Sequence, residues 1–240
     1  MKKIIVANLK MNFTRDEMFE YLNDIKYKIS DSLEVIICPT YLYFYMFKGS
    51  DYKLGAQNVY YLNNGPYTGE VSPSQLKSLG VSYAIIGHSQ RRTNFNEDDL
   101  LISKKVAATI SESIKPIICI GETMEDKQML KTPLVLKNQL LIALKDVPAD
   151  DLNNIIIAYE PVWAIGSGKT PSIVEIEDVI TYIKDILMKN YDIIGKVLYG
   201  GSVDKKNIKQ IMGISNIDGL LIGTSALDYR YFIEILNVIE

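Results

Sequence analysis

Short runs of apolar residues recur along the chain at nearly even spacing: IIVANL from Ile4, VIICP from Val35, LGAQN from Leu54, YAIIGHS from Tyr83, PIICIGE from Pro116, IIIAYEP from Ile155, KVLYGGS from Lys196 and DGLLIGTS from Asp218. Continuous apolar runs this short are the pattern of strands buried on both faces. Between them the apolar residues fall at helical spacing. Met18, Leu22, Ile25 and Ile29 mark one face of Arg15 to Ser30, and Ile176, Ile180, Ile183 and Leu187 mark one face of Ile173 to Met188. Thr14 with Glu17, and Ser172 with Glu175, have the spacing of a capping box at two helix starts. Eight strand–helix units in 240 residues leave about 30 residues each, enough for a strand, a helix and two short loops. The expectation is an α/β protein, a parallel (β/α)8 barrel forming a single domain over residues 1–240. An open doubly wound sheet is the alternative, but no GxGxxG follows the first run and no Pro- or Ser-rich linker divides the chain. One stretch breaks the rhythm, Asn58 to Ser72 (NVYYLNNGPYTGEVS), and a loop of that length usually has a function of its own.

Composition narrows the class. Hydrophobic content of 48% and charged content of 23% fit a soluble globular protein. No apolar run approaches the roughly 18 residues that cross a bilayer. Asn8 and Lys10 interrupt the first run before it could act as a signal segment, so a cytoplasmic location is expected. A net charge of −3 gives no footprint for nucleic acid or an anionic membrane, so an anionic ligand must be held by local groups. Cys38 and Cys119 lie inside apolar runs, as buried thiols of a reducing compartment do. With one histidine and no close cysteine cluster, a structural zinc site is not expected.

In a barrel of this kind the chemistry sits where the strands end. The first run ends with Asn8 and Lys10, which share one side of an extended segment; the fourth ends with His88 and the sixth with Glu160. The seventh ends with Gly200, Gly201 and Ser202, and the eighth with Gly223 and Thr224. Taken singly, Lys10 reads as a solvated lysine, His88 as a core histidine and the small-residue pairs as tight turns. Together they put a cation, an imidazole, a carboxylate and two sets of backbone donors for an anion on one rim. After Glu160 comes Pro161, which biases Glu160 towards extended geometry, and Gly166 and Gly168 leave the following loop free to move. The stretch reads as a base with a lid running Pro161, Val162, Trp163, Ala164, Ile165, Gly166, Ser167, Gly168, Lys169, Thr170.

These segments resemble the triosephosphate isomerase family over essentially the whole chain. The matching motifs are ANLKMN at Ala7 to Asn12, AQN at Ala56 to Asn58, TGEVSP at Thr68 to Pro73, GHSQRR at Gly87 to Arg92, CIGET at Cys119 to Thr123, AYEPVWAIGSGKT at Ala158 to Thr170 and YGGSV at Tyr199 to Val203. The resemblance implies glycolytic interconversion of dihydroxyacetone phosphate and glyceraldehyde 3-phosphate without cofactor or metal. It implies Glu160 as base, His88 as electrophile, and Lys10 with Asn8 as stabilisers of the enediolate. Gly166, Ser202, Gly223 and Thr224 are the implied phosphate contacts, with Ser89 and Gln90 as supporting residues beside His88. It further implies that Ile165 and Leu221 enclose the base, that Glu122 steadies the open lid near Trp163, and that the 58–72 loop makes a homodimer with Thr68 approaching the partner's Asn8 and Lys10.

Three positions depart from the family pattern. Gln90 stands where Glu is usual, Thr224 where a second glycine is usual, and Leu9 where Trp is usual. Gln90 and Thr224 motivate a rival expectation, a non-catalytic barrel that binds sugar phosphates. A third reading is another phosphate-handling barrel, an aldolase or an epimerase. An aldolase wants a Schiff-base lysine and an epimerase commonly wants metal ligands.

Overall fold

All eight apolar runs form strands, and the strands close on themselves. In the computed structural model, which describes residues 2–25, 29–167 and 169–239, the strands are β1 (Lys3–Asn8), β2 (Leu33–Cys38), β3 (Lys53–Ala56), β4 (Tyr83–Ile86), β5 (Lys115–Ile120), β6 (Ile156–Tyr159), β7 (Lys196–Tyr199) and β8 (Gly219–Ile222). They pair in parallel in sequence order, and β1 closes on β8 with Val6 opposite Leu221. The helices are α1 (Arg15–Asp24), α2 (Pro73–Ser78), α3 (Ser89–Phe95), α4 (Asp99–Ser111), α5 (Met124–Gln128), α6 (Thr132–Leu144), α7 (Ile173–Tyr191), α8 (Ile208–Met212) and α9 (Tyr229–Ile239).

Alternation along each strand sorts the core into two layers. Ile4, Val6, Ile36, Cys38, Tyr83, Ile85, Ile117, Cys119, Ile156, Ala158, Leu198 and Leu221 fill the barrel interior. Their neighbours in sequence, such as Ile5, Ala7, Val35 and Ile37, face the helices together with Met18, Ile102, Leu140 and Ile180. Both cysteines are free and buried in the interior layer. The capping boxes at Thr14 and Ser172 form as the spacing predicts.

The even unit length does not hold throughout. The first helix ends at Asp24, with Ile25 as its cap, short of Ser30; residues 26–28 lie outside the described part. After β2 the chain makes only a 3₁₀ stretch, Tyr41–Phe47, in place of a helix. That segment, YLYFYMF, is rich in aromatics that lose rotamer freedom in a helix, and Gly49 at φ 82 ends it. It holds its place by burying Tyr43, Phe44 and Phe47. Residues 57–72 are irregular, as the sequence indicates, and lead into a helix of six residues, α2.

Candidate active site

The strand alternation that builds the interior layer carries on to the strand ends and the residues just past them. Asn8 follows Val6, Glu160 follows Ala158, Gly200 follows Leu198 and Gly223 follows Leu221, so each stands over the barrel interior. These four join Lys10, His88, Ile165, Gly166, Ser202 and Thr224 around one cavity of about 280 Å³. A larger hollow of about 1030 Å³, between α1 and the Tyr41–Phe47 stretch, contains none of the groups singled out above.

His88 reaches the cavity through a break in strand geometry. Gly87 adopts φ 71, a left-handed conformation that glycine alone takes without penalty, and turns the chain into α3. His88 then acts as the N-cap of α3, its Nδ1 accepting from the Gln90 amide at 3.2 Å. With Nδ1 occupied as an acceptor, the neutral ring carries its proton on Nε2, which lies 3.0 Å from Glu160 Oε1. The other carboxylate oxygen accepts from the Ser89 amide at 2.9 Å. Both side chains are almost wholly buried. Burial holds the imidazole below its ordinary value of 6.5, outweighing the upward pull of Glu160, while Lys10 and Arg91 add to the lowering. The pair is therefore a neutral donor facing a carboxylate.

Lys10 enters differently from the expectation. The strand ends at Asn8, and Lys10 sits at φ 54, so it does not share an extended segment with Asn8. Its amide donates to Asn8 Oδ1 at 3.1 Å and its carbonyl accepts from Gln57 Nε2 at 2.8 Å. A left-handed lysine costs about 1–2 kcal/mol, which these two bonds help to offset. The glycines at the ends of β7 and β8 leave the room these side chains need. A Cβ at position 223 would meet Lys10 Cε at 2.9 Å, and one at position 200 would meet Glu160 Cγ at 3.0 Å.

The segment after Glu160 starts in the barrel and ends in solvent. Pro161 and Ala164 are buried, Val162, Trp163 and Ile165 half-buried, and Gly166, Ser167, Lys169 and Thr170 exposed; Gly168 lies outside the described residues. Glu122, buried at the end of β5, accepts from Trp163 Nε1 at 2.7 Å and from the Tyr159 hydroxyl at 3.1 Å. Burial raises its carboxyl above the ordinary value despite those donors. Ser202 Oγ donates to the Ala164 carbonyl at 2.8 Å, tying this segment to the loop after β7. Leu221 is buried, and with Ile165 it lines the cavity beside Glu160. Thr224 begins a 3₁₀ turn, Thr224–Ala226, whose first N–H groups have no partner within the turn.

Gln90 and Thr68 stand outside this cavity. Gln90 is exposed and lines a neighbouring hollow of about 460 Å³, with Met11, Tyr41, Arg91 and Phe95, that also touches Asn8, Lys10 and His88. Thr68 is exposed on the 57–72 loop. Two supporting residues inside recognised motifs had no role assigned from sequence. Gln57 pins the Lys10 and Cys38 carbonyls. Arg92 holds the His88 turn by donating to the Gly87 carbonyl at 2.9 Å and the Cys119 carbonyl at 3.1 Å. A third, Lys105 on α4, bonds Glu97 at 2.5 Å and Asn58 Oδ1 at 2.8 Å, and nothing in the local pattern marks it as other than a solvated helix lysine.

Comparison with known proteins points to one family. The family model described as triosephosphate isomerase matches residues 3–239. A triosephosphate isomerase of Alkaliphilus oremlandii (strain OhILAs) is 41% identical over 245 residues, covering 98% of this chain and 99% of that protein. Those of Finegoldia magna and of Clostridium botulinum (strain Loch Maree / Type A3) are each 40% identical, covering 98% of both chains.

Proposed function

The chain belongs to the triosephosphate isomerase family, and from that membership we propose how its residues divide the work. The enzyme interconverts dihydroxyacetone phosphate and D-glyceraldehyde 3-phosphate. The reaction removes a proton from the carbon beside the carbonyl and returns it to the neighbouring carbon. In between, negative charge develops on oxygen. Glu160 is the base. Substrate entering between Glu160 and His88 replaces the 3.0 Å contact that joins them, leaving the carboxylate facing carbon and the Nε2 proton facing oxygen. A neutral histidine in this role is the recognised arrangement for this enzyme, and here burial and the Gln90 amide support it. Lys10 and Asn8 add donors where the oxyanion forms. The backbone N–H groups of Gly166, Ser202, Gly223 and Thr224 hold the phosphate. Residues 161–170 close over it, and Ile165 and Leu221 keep water from the enediolate.

The observation that carries this reading is the buried His88–Glu160 pair in one cavity with Lys10. No observation favours a non-catalytic barrel: Gln90 is exposed in the single chain, and its amide N–H bonds His88 Nδ1 whatever its side chain. The test is kcat/KM for glyceraldehyde 3-phosphate in wild type, Gln90→Glu and Glu160→Gln, with released inorganic phosphate followed in parallel. Wild type turns over with only a trace of phosphate, Gln90→Glu stays within about tenfold of it, and Glu160→Gln loses about 10³-fold or more. Undetectable wild-type turnover would overturn the assignment.

The same reading extends to assembly and location. The 57–72 loop supplies the contact of a homodimer, supported by exposed Tyr67 on that loop and by exposed Met11 and Phe95 in the hollow beside Lys10. Buried free thiols support the cytoplasm as its compartment.

A further inference from the structure

The one tryptophan of the chain, Trp163, is held from two directions by the connection that follows β5. Glu122 takes its indole N–H at 2.7 Å, and the Lys127 ammonium sits over its ring, 3.7 Å from the centroid. Lys127 is itself tethered, 2.9 Å from Glu175 Oε1. The second oxygen of Glu175 accepts from the Ser172 amide at 2.8 Å and the Ser172 hydroxyl at 3.0 Å, closing the capping box of α7. One chain of contacts thus runs from the N-terminal end of the 161–170 segment, through Lys127, to the helix start just beyond its C-terminal end.

Both mounts are firm. Lys127 lies in the last turn of the short helix α5, where its amide bonds the Thr123 carbonyl at 3.1 Å and a Thr123–Asp126 capping box fixes the helix start. Glu175 stands in the first turn of a 19-residue helix anchored by buried Ile176, Ile180, Ile183 and Leu187. Trp163 lies in a three-residue 3₁₀ turn, Val162–Ala164, at the point where the segment leaves the barrel. Any movement that carries Gly166 and Ser167 over the cavity has to be taken up at that turn.

We propose that Lys127 is a positioning residue for the lid: tethered by Glu175, its ammonium holds the Trp163 face and biases the lid towards the conformation seen here. The inference rests on residues 161–170 acting as a closing lid. A cation over an indole at a partly exposed site shifts a two-state ratio by about two- to five-fold. That bias reduces apparent substrate affinity by the same factor, because binding has to break it.

Trp163 reports the test directly. Tryptophan emission of wild type, Lys127→Met, Lys127→Arg and Glu175→Gln is recorded free and during titration with glycerol 3-phosphate, an unreactive analogue of the substrates, and KM and kcat are measured on each. Lys127→Met should start with emission already shifted towards the saturated value and bind glycerol 3-phosphate about two- to five-fold more tightly, with KM lowered equally and kcat not raised. Lys127→Arg, which keeps the cation over the ring, should behave as wild type. Glu175→Gln, which keeps a capping acceptor but loses the charge, should shift the same way by less, and it carries the test if Lys127→Met proves unstable. Wild-type emission, affinity and KM in Lys127→Met and Glu175→Gln overturn the proposal while leaving the lid intact. If glycerol 3-phosphate inhibits wild type without moving its tryptophan signal, the lid reading falls, and the role of Lys127 with it.

Discussion

The proposed site contains a single imidazole, His88, and burial favours its uncharged form. His88 is the only histidine in the chain, and burial holds it below 6.5 in the folded protein. In the unfolded chain it titrates near its ordinary value, so below that pH the unfolded state binds a proton that the folded state does not. Stability from this group is complete above about pH 6.5 and is lost as pH falls through the lowered folded value. Denaturant unfolding between pH 5 and pH 8 should show a stability slope in wild type that flattens in His88→Asn, and NMR titration of the lone imidazole should place its midpoint below the ordinary value. A midpoint at or above 6.5 would contradict the neutral donor. In the proposed reaction the same shift would leave the Nε2 proton available to the substrate oxygen, with Nδ1 unprotonated, at neutral pH.

At the scale of elements, the strand ends position the chemistry and α4 anchors the loop between β3 and α2. Lys105, buried on α4, bonds Glu97 and Asn58, and Arg91 bonds the same Glu97 oxygen at 2.5 Å. Burial lowers the lysine from its ordinary value even against the pull of Glu97. Removing one member of such a cluster leaves a buried group without its partner, at a cost of about 3–5 kcal/mol. Glu97→Ala should therefore lower the urea midpoint by that equivalent and speed proteolysis within 57–72; a midpoint within 0.5 kcal/mol of wild type, on the order of a surface substitution, would show the cluster to be solvated. This cluster was not legible in the sequence, because a lysine and a glutamate eight residues apart carry no local sign of burial. The barrel was legible, since continuous apolar runs and capping boxes are local signals that the fold does not override. Glu160 and Asn8 were singled out as the polar residues that end apolar runs, and both line the cavity. Lys10 was found for an incomplete reason: the two-residue spacing pointed to it, yet it reaches the cavity through a left-handed turn that no residue-type pattern announces. The missing second helix has the opposite cause, an aromatic segment whose burial a 3₁₀ stretch satisfies equally well.

At the scale of the molecule, one chain supplies every group assigned to the chemistry, yet the rim beside Lys10 is open. The hollow of about 460 Å³ there is walled by Met11, Tyr41, Val71 and Phe95, with Arg91 and Glu70 at its edge. The neighbouring loop is preformed rather than slack: Tyr60 packs on Tyr67 at 4.7 Å and on Tyr61 at 4.5 Å, and the Tyr60 amide bonds the Val71 carbonyl at 2.8 Å. In the proposed homodimer this loop is the segment that would enter the partner's hollow, an isologous contact made twice under two-fold symmetry. Thr68 is exposed at this loop, so Thr68→Arg should leave the monomer fold unchanged while, in the proposed dimer, placing bulk and positive charge against the partner's Lys10. Sedimentation equilibrium should show dimer affinity weakened by about 2 kcal/mol or more, roughly 30-fold. Specific activity should then fall on dilution through the new dissociation range and recover at high protein concentration. A wild-type chain that sediments as a monomer with undiminished activity would remove the dimer. Concentration-independent loss of activity in Thr68→Arg would instead mean that the loop acts on its own site, a distinction that only measuring activity and assembly on the same samples can make.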